Sequence, residues 1–266
     1  MLLDFHRIGA LRWVLAAIGG LICAYLLLPI VFIVFLSFGS SRWLQFPPPY
    51  WTTKWYRDFF ADTEWISSIL VSAQVAVVVM LLSVVLGFFA ARAIVRGRFP
   101  GRNLLRAFLL APLVMPVVVL GVSLYALFLR TGLSGTFTGF VIAHLVIALP
   151  FSVIVISNAL ISFDKSLEDA AIVCGASPAQ ATLRVTIPSI RLGLYAAAIF
   201  SFLASWDEVV LAIFMASPRL QTFPVRIWTT LRQDLTPEIA AASSLVILVT
   251  AVFLLLIALV MKRRPS

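Results

Sequence analysis

The sequence contains six apolar runs, each long enough to cross a lipid bilayer as a helix. A transmembrane helix needs about 20 mainly apolar residues, because the hydrocarbon core is about 30 Å thick and a helix rises about 1.5 Å per residue. Hydrophobic residues make up 62% of the chain and charged residues 12%, which is outside the range of soluble globular domains. We therefore predict an all-α membrane protein that forms one domain over residues 1–266. Its six predicted transmembrane helices cover approximately residues 13–38, 66–95, 105–129, 139–161, 193–217 and 239–261.

The positive charges predict how these spans are oriented, because Lys and Arg near span ends are retained in the cytoplasm. If the N-terminus lies inside, the inner segments contain 13 of the 20 Lys and Arg residues and the outer segments contain seven. Arg7, Arg263 and Arg264 are among the inner charges. We therefore expect both termini in the cytoplasm. The connecting segments have at most about 30 residues, too few for a separate soluble domain.

Several functional classes lack their sequence patterns. The net charge of +9 does not indicate a nucleic-acid partner, because the basic residues cluster at span ends, where cytoplasmic retention explains them. None of the three lysines follows the Gly-x-x-x-x-Gly pattern of a phosphate-binding loop. The His-Glu-x-x-His pattern for zinc and the Gly-x-Ser-x-Gly pattern for a nucleophile are also absent from the sequence. We predict a chain that is not an enzyme, binds no cofactor or metal itself, and is surrounded by lipid.

The inner segment 162–192 contains signals for a short helix. Ser166, with Asp169 three residues later, is typical of a helix N-cap, and the helix would pass through the alanines that follow. Gly175 suits the left-handed conformation that ends a helix. These signals alone are also typical of an ordinary loop helix.

A second helix start follows in the same segment. Ser177 is a further candidate N-cap, with Pro178 at the first helical position and Gln180 at the third. Pro188 is expected to end this unit before the fifth span, because proline disfavours helical geometry in the residue before it. Residues 162–192 are therefore predicted to form a rigid helix–break–helix elbow.

A longer pattern runs through the elbow: Asp169-Ala170-Ala171, then Gly175, then Val185, Ile187 and Pro188. It resembles, position by position, the Glu-Ala-Ala-x3-Gly-x9-Ile-x-Leu-Pro motif of the integral membrane subunits of ABC importers. Asp replaces Glu, and the aliphatic replacements are conservative. The motif lies on the inner side before the penultimate span, as it does in that family.

The resemblance implies that the elbow is a coupling helix, which docks in a cleft of an ATPase subunit so that nucleotide-driven closure moves the membrane helices. It implies the type I ABC importer permease fold in a bacterial cytoplasmic membrane. The implied partners are a second permease that is a paralogue, two ATP-binding subunits that bind ATP and Mg²⁺, and an extracytoplasmic solute-binding protein. The residues assigned to ATPase coupling are Ser166, Glu168, Asp169, Ala170, Ala171, Gly175, Ala176, Ser177 and Pro188.

Further patterns occur in order along the chain, among them Ser40-Ser41-Arg42, Arg98-Phe99-x-Gly101, Leu149-Pro150-Phe151 and Gly175-Ala176-Ser177. Together they resemble the second permease of spermidine/putrescine importers. The function that this resemblance implies is a permease subunit that forms the pathway for a small cationic or amine-containing solute, polyamine-like in the first instance.

Two acids lie inside a predicted span, Asp207 and Glu208 of the fifth, and charged groups at membrane depth mark substrate pathways. With Ser205 and Trp206 they form a candidate cation site, since carboxylates attract ammonium groups and an aromatic face adds cation–π attraction. An alternative is that one acid pairs with an arginine or caps a broken helix. Pro116 is a further candidate pathway residue, because irregular backbone is tolerated at membrane depth where it lines a cavity.

The third span departs from the polyamine permeases at Val117, where those proteins typically have Asp. A smaller amine solute, such as an amino-acid derivative or an aminophosphonate, is therefore an alternative substrate.

Other residues within the spans receive structural interpretations. His144, Gln74 and Asn158 are expected to form hydrogen bonds between helices, which is common for polar side chains in membranes. Pro112 and Pro150, like Pro116, are expected to kink or break their helices.

The outer segments contain candidate contacts for the binding protein. Trp55 lies beyond a stiff three-proline run, and Arg226 and Trp228 lie in the segment 219–237, where apolar residues recur at helical spacing. A helix lying in the membrane interface would have the same spacing. Both interpretations stay open.

Two other functional classes explain part of the sequence. An ion-coupled secondary transporter would use Asp207 and Glu208 as cation ligands and need no ATPase, but it leaves the elbow unexplained. A membrane scaffold would need neither the acids nor the elbow. An ABC importer permease accounts for the elbow, the missing ATPase site and the missing soluble domain together, and it is the predicted function.

Overall fold

The computed structural model describes residues 11–233 and 236–262, and their regular structure is helical apart from two isolated β-bridges. Arg7, Arg263 and Arg264 lie outside the described residues, as do both termini, whose location was predicted above. The helices are α1 (Leu11–Leu36), α2 (Lys54–Ala61), α3 (Thr63–Arg96), α4 (Arg102–Leu110), α5 (Val117–Thr131), α6 (Phe137–Ser162), α7 (Lys165–Val173), α8 (Pro178–Ala181), α9 (Ile187–Ser189), α10 (Arg191–Trp206), α11 (Val210–Met215), α12 (Phe223–Gln233) and α13 (Pro237–Lys262).

The chain divides into two compact units, of which the first comprises Met1–Asp62 and Thr230–Val249. The side chains of residues 12–33 in α1 are exposed and mostly apolar, as expected for a helix in contact with lipid or another chain. The loop after α1 is fixed to α2 by hydrogen bonds. Trp55 Nε1 donates to the carbonyl of Gly39 at 2.7 Å, and the hydroxyls of Ser37 and Tyr56 are 2.7 Å apart.

The second unit comprises Thr63–Thr229 and Thr250–Ser266, and its centre consists of α3, α6 and α10 packed against one another. Small residues allow this close approach. A Cβ added at Gly87 would lie 2.7 Å from Cβ of Ser152, and one at Gly193 would lie 2.4 Å from Cβ of Ala159. Helices in a bilayer associate through such packing, because lipid tails are as apolar as the side chains.

Buried polar groups also join α6 to α10. His144 Nδ1 lies 2.9 Å from Ser205 Oγ, and the hydroxyls of Ser152 and Ser201 are 2.7 Å apart. The interpretation of His144 as a helix–helix hydrogen-bonding residue is confirmed.

The same interpretation is wrong for Gln74 and Asn158. Both side chains are exposed, and neither forms a hydrogen bond within the described part of the chain. Gln74 lies on an exposed face of α3, and Asn158 lines a cavity beside α4 without forming a hydrogen bond to it.

Three helices in the described ranges, α1, α3 and α6, are long and apolar enough to cross a bilayer alone. The predicted third span is broken, with Arg102–Leu113 bent by 102° from Val117–Thr131, as Pro112 and Pro116 predict. The fifth is interrupted between Trp206 and Val210. By contrast, α6 is continuous through Pro150. The described residues therefore contain three candidate spans. There are up to five if two bent helix pairs each cross once, the second pair being Pro178–Ser189 and Arg191–Trp206.

Candidate functional site

The first helix of the elbow, α7, is capped by Asp164. The Asp164 carboxylate accepts a hydrogen bond of 2.9 Å from the backbone N–H of Ser166. Hydrogen bonds from Ser166 hold the pKa of Asp164 below its usual range, and nearby Arg96 acts in the same direction. The prediction of Ser166 as the N-cap is wrong, because the helix starts at Lys165 and Ser166 lies in the first turn, where its N–H needs an acceptor.

Gly175 ends α7, as predicted. Its φ of +97° is in the left-handed region. The N–H of Gly175 donates to the carbonyl of Ile172 at 2.9 Å, and the N–H of Ala176 donates to that of Ala171 at 3.0 Å. This pair of hydrogen bonds is the Schellman motif, which satisfies the last carbonyls of a helix.

Ser177 then caps α8, which confirms the second predicted helix start. Ser177 Oγ accepts from the N–H of Gln180 at 3.3 Å, and Gln180 Oε1 accepts from the N–H of Ser177 at 2.9 Å. Pro178 occupies the first helical position. This reciprocal capping box satisfies the backbone N–H groups of Ser177 and Gln180 at the start of α8.

The elbow does not end at Pro188, and that prediction is wrong. A single π-helical turn, Thr182–Thr186, follows α8, and the backbone of Ile187 is helical. The wider π turn accommodates the proline ring within a continuing helix. The unit ends at Ile190, where Pro178–Ser189 meets α10 at a bend of 73°.

Glu168 attaches the elbow to the membrane helices, and it is the one buried residue of α7, a helix described in full. Arg92 Nη2 of α3 donates to Glu168 Oε1 at 2.7 Å. Thr186 Oγ1 donates to Glu168 Oε2 at 2.9 Å, so both carboxylate oxygens have partners. Arg92 Nη1 also donates to Thr182 Oγ1. One guanidinium thus holds both halves of the elbow.

Arg92 is one of the 13 inner charges of the sequence, and neither Arg92 nor Thr186 was predicted to attach the elbow. A signal was present, because Arg92 and Arg96 are four residues apart and share one face of α3. Arg96 Nη2 donates at 2.9 Å to the carbonyls of Leu160 and Phe163, at the end of α6. The end of α3 therefore holds both α6 and the elbow.

The elbow also has exposed apolar side chains. We call Leu167, Val173 and Leu183 the elbow surface; these large apolar side chains are exposed, Val173 to 88%. Asp169 lies beside them and is also exposed, with its carboxylate 3.6 Å from Lys165 Nζ. Exposed apolar side chains outside the membrane are typical of a protein-binding surface. Of the other predicted coupling residues, Ala170, Gly175, Ser177 and Pro188 are exposed, whereas Ala171 and Ala176 are half-buried.

The four predicted pathway residues of the fifth span lie where α10 ends. Ser205 is buried against His144, Trp206 is the last helical residue, and Asp207 is exposed. Glu208 Oε1 accepts a hydrogen bond of 2.7 Å from the N–H of Leu211, in the first turn of α11. Glu208 therefore caps the broken helix, which is one of the two arrangements that the sequence left open. The exposed side chain of Asp207 forms no hydrogen bond or ion pair within the described part of the chain.

Trp206 packs inside an aromatic group. Its ring is stacked on Phe202, with centroids 5.8 Å apart, and lies 6.4 Å from the ring of Phe223. Its indole nitrogen is buried with no hydrogen-bond partner among the described residues. Pro116 is exposed at the start of α5, a helix that packs against α11.

The three residues predicted to contact the binding protein differ in solvent exposure and in the contacts they already make. Arg226 of α12 pairs with Glu64 and lies over the ring of Trp65 at 5.5 Å. Trp228 is 42% exposed. Trp55 belongs to the first unit, where it is half-buried and hydrogen-bonded to Gly39.

The chain resembles proteins of known type over most of its length. Residues 83–264 match the family described as the binding-protein-dependent transport system inner membrane component. The chain is 31% identical over 231 residues to the putrescine transport system permease protein PotI of Escherichia coli strain K12, covering 84% of this chain and 82% of that protein. It is 28% identical over 241 residues to the spermidine/putrescine transport system permease protein PotC of Haemophilus influenzae, covering 90% and 93%.

A solved structure has the same fold. It is a crystal structure of a bacterial ABC transporter involved in the import of the acidic polysaccharide alginate, which matches with a TM-score of 0.71 over 100% of this chain and 99% of that one. The sequence identity is 17%, so the likeness concerns the fold alone.

Proposed function

The chain belongs to the family of inner membrane components of binding-protein-dependent transport systems and is a permease subunit of an ABC importer, and we propose that it conducts a small cationic amine of the polyamine type. The similar proteins PotI and PotC are named as putrescine and spermidine/putrescine permeases. These likenesses support the importer and not the ion-coupled transporter.

The proposed assembly has two permeases, this chain and a paralogue, in a bacterial cytoplasmic membrane. This chain would cross the membrane six times with both termini in the cytoplasm, consistent with the distribution of Lys and Arg. Two ATP-binding subunits would bind ATP and Mg²⁺, and a solute-binding protein would deliver the solute at the outer face. Trp228 and the exposed parts of Arg226 and Trp55 are the proposed contacts for that protein.

The attachment of Glu168 is the observation that best supports a coupling role for residues 162–192. The elbow is fixed to α3 through Arg92, and the elbow surface is exposed. The capping box and the Schellman motif keep the two short helices in one geometry. An ATPase subunit that moved the elbow surface would therefore displace α3 instead of deforming the loop.

Asp207 is the proposed attraction point for the solute. Its carboxylate is exposed where α10 is broken, so it can attract an ammonium group without losing an existing ion pair. Glu208 supports the site differently, because it fixes the start of α11. Ser205, Trp206 and Pro116 complete the proposed pathway.

The function is tested with the chain co-purified with its ATP-binding subunits and second permease in lipid nanodiscs. ATP hydrolysis is measured with the binding protein free and loaded with putrescine, spermidine or an aminophosphonate. Stimulation by the putrescine- or spermidine-loaded form supports the polyamine proposal. Stimulation by the aminophosphonate alone would exclude polyamines but keep the importer, and no ATPase in the purified complex would contradict the coupling role.

The pathway is tested with Asp207→Asn, which removes the charge and keeps the size. Uptake at low solute concentration is expected to fall about tenfold, roughly 1.4 kcal/mol, with assembly unchanged. Asp207→Glu should restore most of the uptake. Glu208→Gln keeps an acceptor for the Leu211 N–H, so it separates the charge of Glu208 from its capping role. Normal uptake kinetics in Asp207→Asn would remove Asp207 from the pathway.

A further inference from the structure

A cavity of about 260 Å³ lies between α3, α4 and α6, separate from the elbow and from the Asp207 break. Its polar lining consists of Arg102, Asn103 and Arg106 from α4 and Ser157 and Asn158 from α6. Its walls are otherwise apolar. The residues of this cavity have no part in the coupling or the pathway proposed above.

The cationic groups of the cavity have no anionic partner within the described ranges. Arg106 and Asn158 form no hydrogen bond or ion pair there, and Arg102 forms only a long hydrogen bond of 3.4 Å to the carbonyl of Gly97. No Asp or Glu lines the cavity. Both arginines are exposed, so an anion that enters the cavity can meet two guanidinium groups without displacing an ion pair.

The two faces of α4 place this cavity at a membrane interface. Arg102 and Arg106 are four residues apart and share the face that lines the cavity. Leu104 and Phe108 lie on the opposite face and are 75% and 74% exposed. A short helix with an apolar face and a basic face lies at the boundary between headgroups and acyl chains.

We propose that this cavity binds the phosphate group of an anionic phospholipid. Two arginines supply charge-assisted hydrogen bonds to phosphate oxygens, and Asn103 and Asn158 supply neutral donors. A free phosphate ion would satisfy the same groups, but the apolar wall formed by Val153, Ile154 and Ile161 fits the glycerol and first methylenes of a lipid. Basic pockets between transmembrane helices are known to recognise lipid headgroups in this way. A lipid can occupy this cavity wherever α3 and α6 cross a bilayer, whichever solute the protein transports.

The site is tested on the detergent-solubilised importer complex by native mass spectrometry, titrated with phosphatidylglycerol and with phosphatidylcholine of the same acyl chains. Phosphatidylglycerol is expected to bind more tightly at one saturable site. Arg106→Gln should weaken its binding about fivefold, the effect of one basic residue at an anionic surface. Asn158→Asp, which places a negative charge in the cavity at constant size, should weaken it more.

Two variants serve as controls. Arg106→Lys keeps the charge and should retain most of the binding. Arg191→Gln removes an exposed charge outside the cavity and should leave the binding unchanged. Equal retention of phosphatidylglycerol in Arg106→Gln and Arg191→Gln would overturn the proposal.

Inorganic phosphate distinguishes the two sources of the ligand. If millimolar phosphate displaces the lipid and protects the complex equally well against heat, the site is a phosphate site and the lipid assignment is wrong. If phosphate has no such effect, the lipid assignment is supported. The count of bound lipids does not depend on ATP hydrolysis, so failure of this inference can be told apart from failure of the proposed importer function.

Discussion

The two ends of α3 hold neighbouring segments through ion pairs of different kinds. Near its C-terminal end, Arg92 holds the elbow through Glu168, whose side chain is 8% exposed. Near its N-terminal end, Glu64 holds α12 through Arg226, and here the carboxylate is 68% exposed. About 40 Å of helix separates the two pairs, at about 1.5 Å per residue.

The difference in burial between the two ion pairs indicates which end of α3 can transmit force from a partner subunit. A buried carboxylate that loses its cation stays buried and uncompensated, so the elbow cannot leave Arg92 at low cost. An exposed carboxylate that loses its partner is solvated by water, so the outer ion pair can break and re-form at low cost. A firm inner ion pair and a weak outer one fit a subunit that is driven from the ATPase side and admits solute at the other.

Arg92→Ala is expected to have the largest effect. It leaves the Glu168 carboxylate buried with only Thr186 as a partner, and the expected cost is about 3 kcal/mol. The measurements are the thermal unfolding midpoint of the purified complex and the ratio of solute transported to ATP hydrolysed. We expect a lower midpoint and a lower ratio.

A double-mutant cycle separates the ion pair from other effects of the substitution. The coupling energy of Arg92→Ala with Glu168→Ala is compared with that of Lys165→Ala with Asp169→Ala on the same helix. Lys165 and Asp169 form an exposed pair, and their coupling should stay below about 0.5 kcal/mol. Equal coupling energies in the two cycles would show that burial does not strengthen the Arg92–Glu168 ion pair.

Gly175→Val should have the next largest effect. A Cβ at this position meets nothing within 4 Å, so the cost is conformational: a β-branched residue at a φ of +97° is destabilised by about 1–3 kcal/mol. We expect reduced uptake and an ATPase that no longer responds to the loaded binding protein. Gly175→Asn is the matched control, because Asn tolerates the left-handed region and should retain most of the activity. Equal loss in both variants would show that the backbone conformation is not the reason.

The sequence predicts those parts of the elbow that depend on local signals. Gly175 and the pairing of Ser177 with Gln180 follow from residues within one turn, and both predictions are confirmed. The role of Arg92 could not be predicted, because its partner Glu168 is 76 residues away and only the packing of α3 against the elbow brings them together. Asp164 was missed for a different reason, since both it and Ser166 are good caps and the pattern fits either.

The membrane helices also combine features that the sequence predicts with one that it does not. Apolar length predicts α1, α3 and α6 closely, and the prolines predict the broken third span. The interruption after Trp206 has no proline or glycine to mark it. It is stabilised by the Glu208 cap, for which the sequence offered two arrangements, and the structure distinguishes them.

Glu64→Gln tests the outer end and should have a small effect. The expected change in stability is below about 1 kcal/mol, because the carboxylate is exposed and Arg226 keeps its contact with the ring of Trp65. The unfolding midpoint is measured beside that of Arg92→Ala under the same conditions. A shift as large as that of Arg92→Ala would remove the difference between the two ends of α3.

Asp164→Asn should have the smallest effect, and it appears only in acid. The Asn side chain keeps an acceptor for the Ser166 N–H, so stability at neutral pH should be nearly unchanged. The pKa of Asp164 is lowered in the folded chain, so its charged form favours folding above its ordinary value of 3.8, and this contribution is lost as the pH falls through the folded pKa. Unfolding midpoints measured between about pH 3 and pH 7 should therefore fall more steeply below about pH 4 in the parent chain than in Asp164→Asn. Asp164→Ala, which removes the acceptor, should be less stable than the parent chain at every pH. If its unfolding midpoint equals that of Asp164→Asn at neutral pH, the stability of α7 does not depend on this cap.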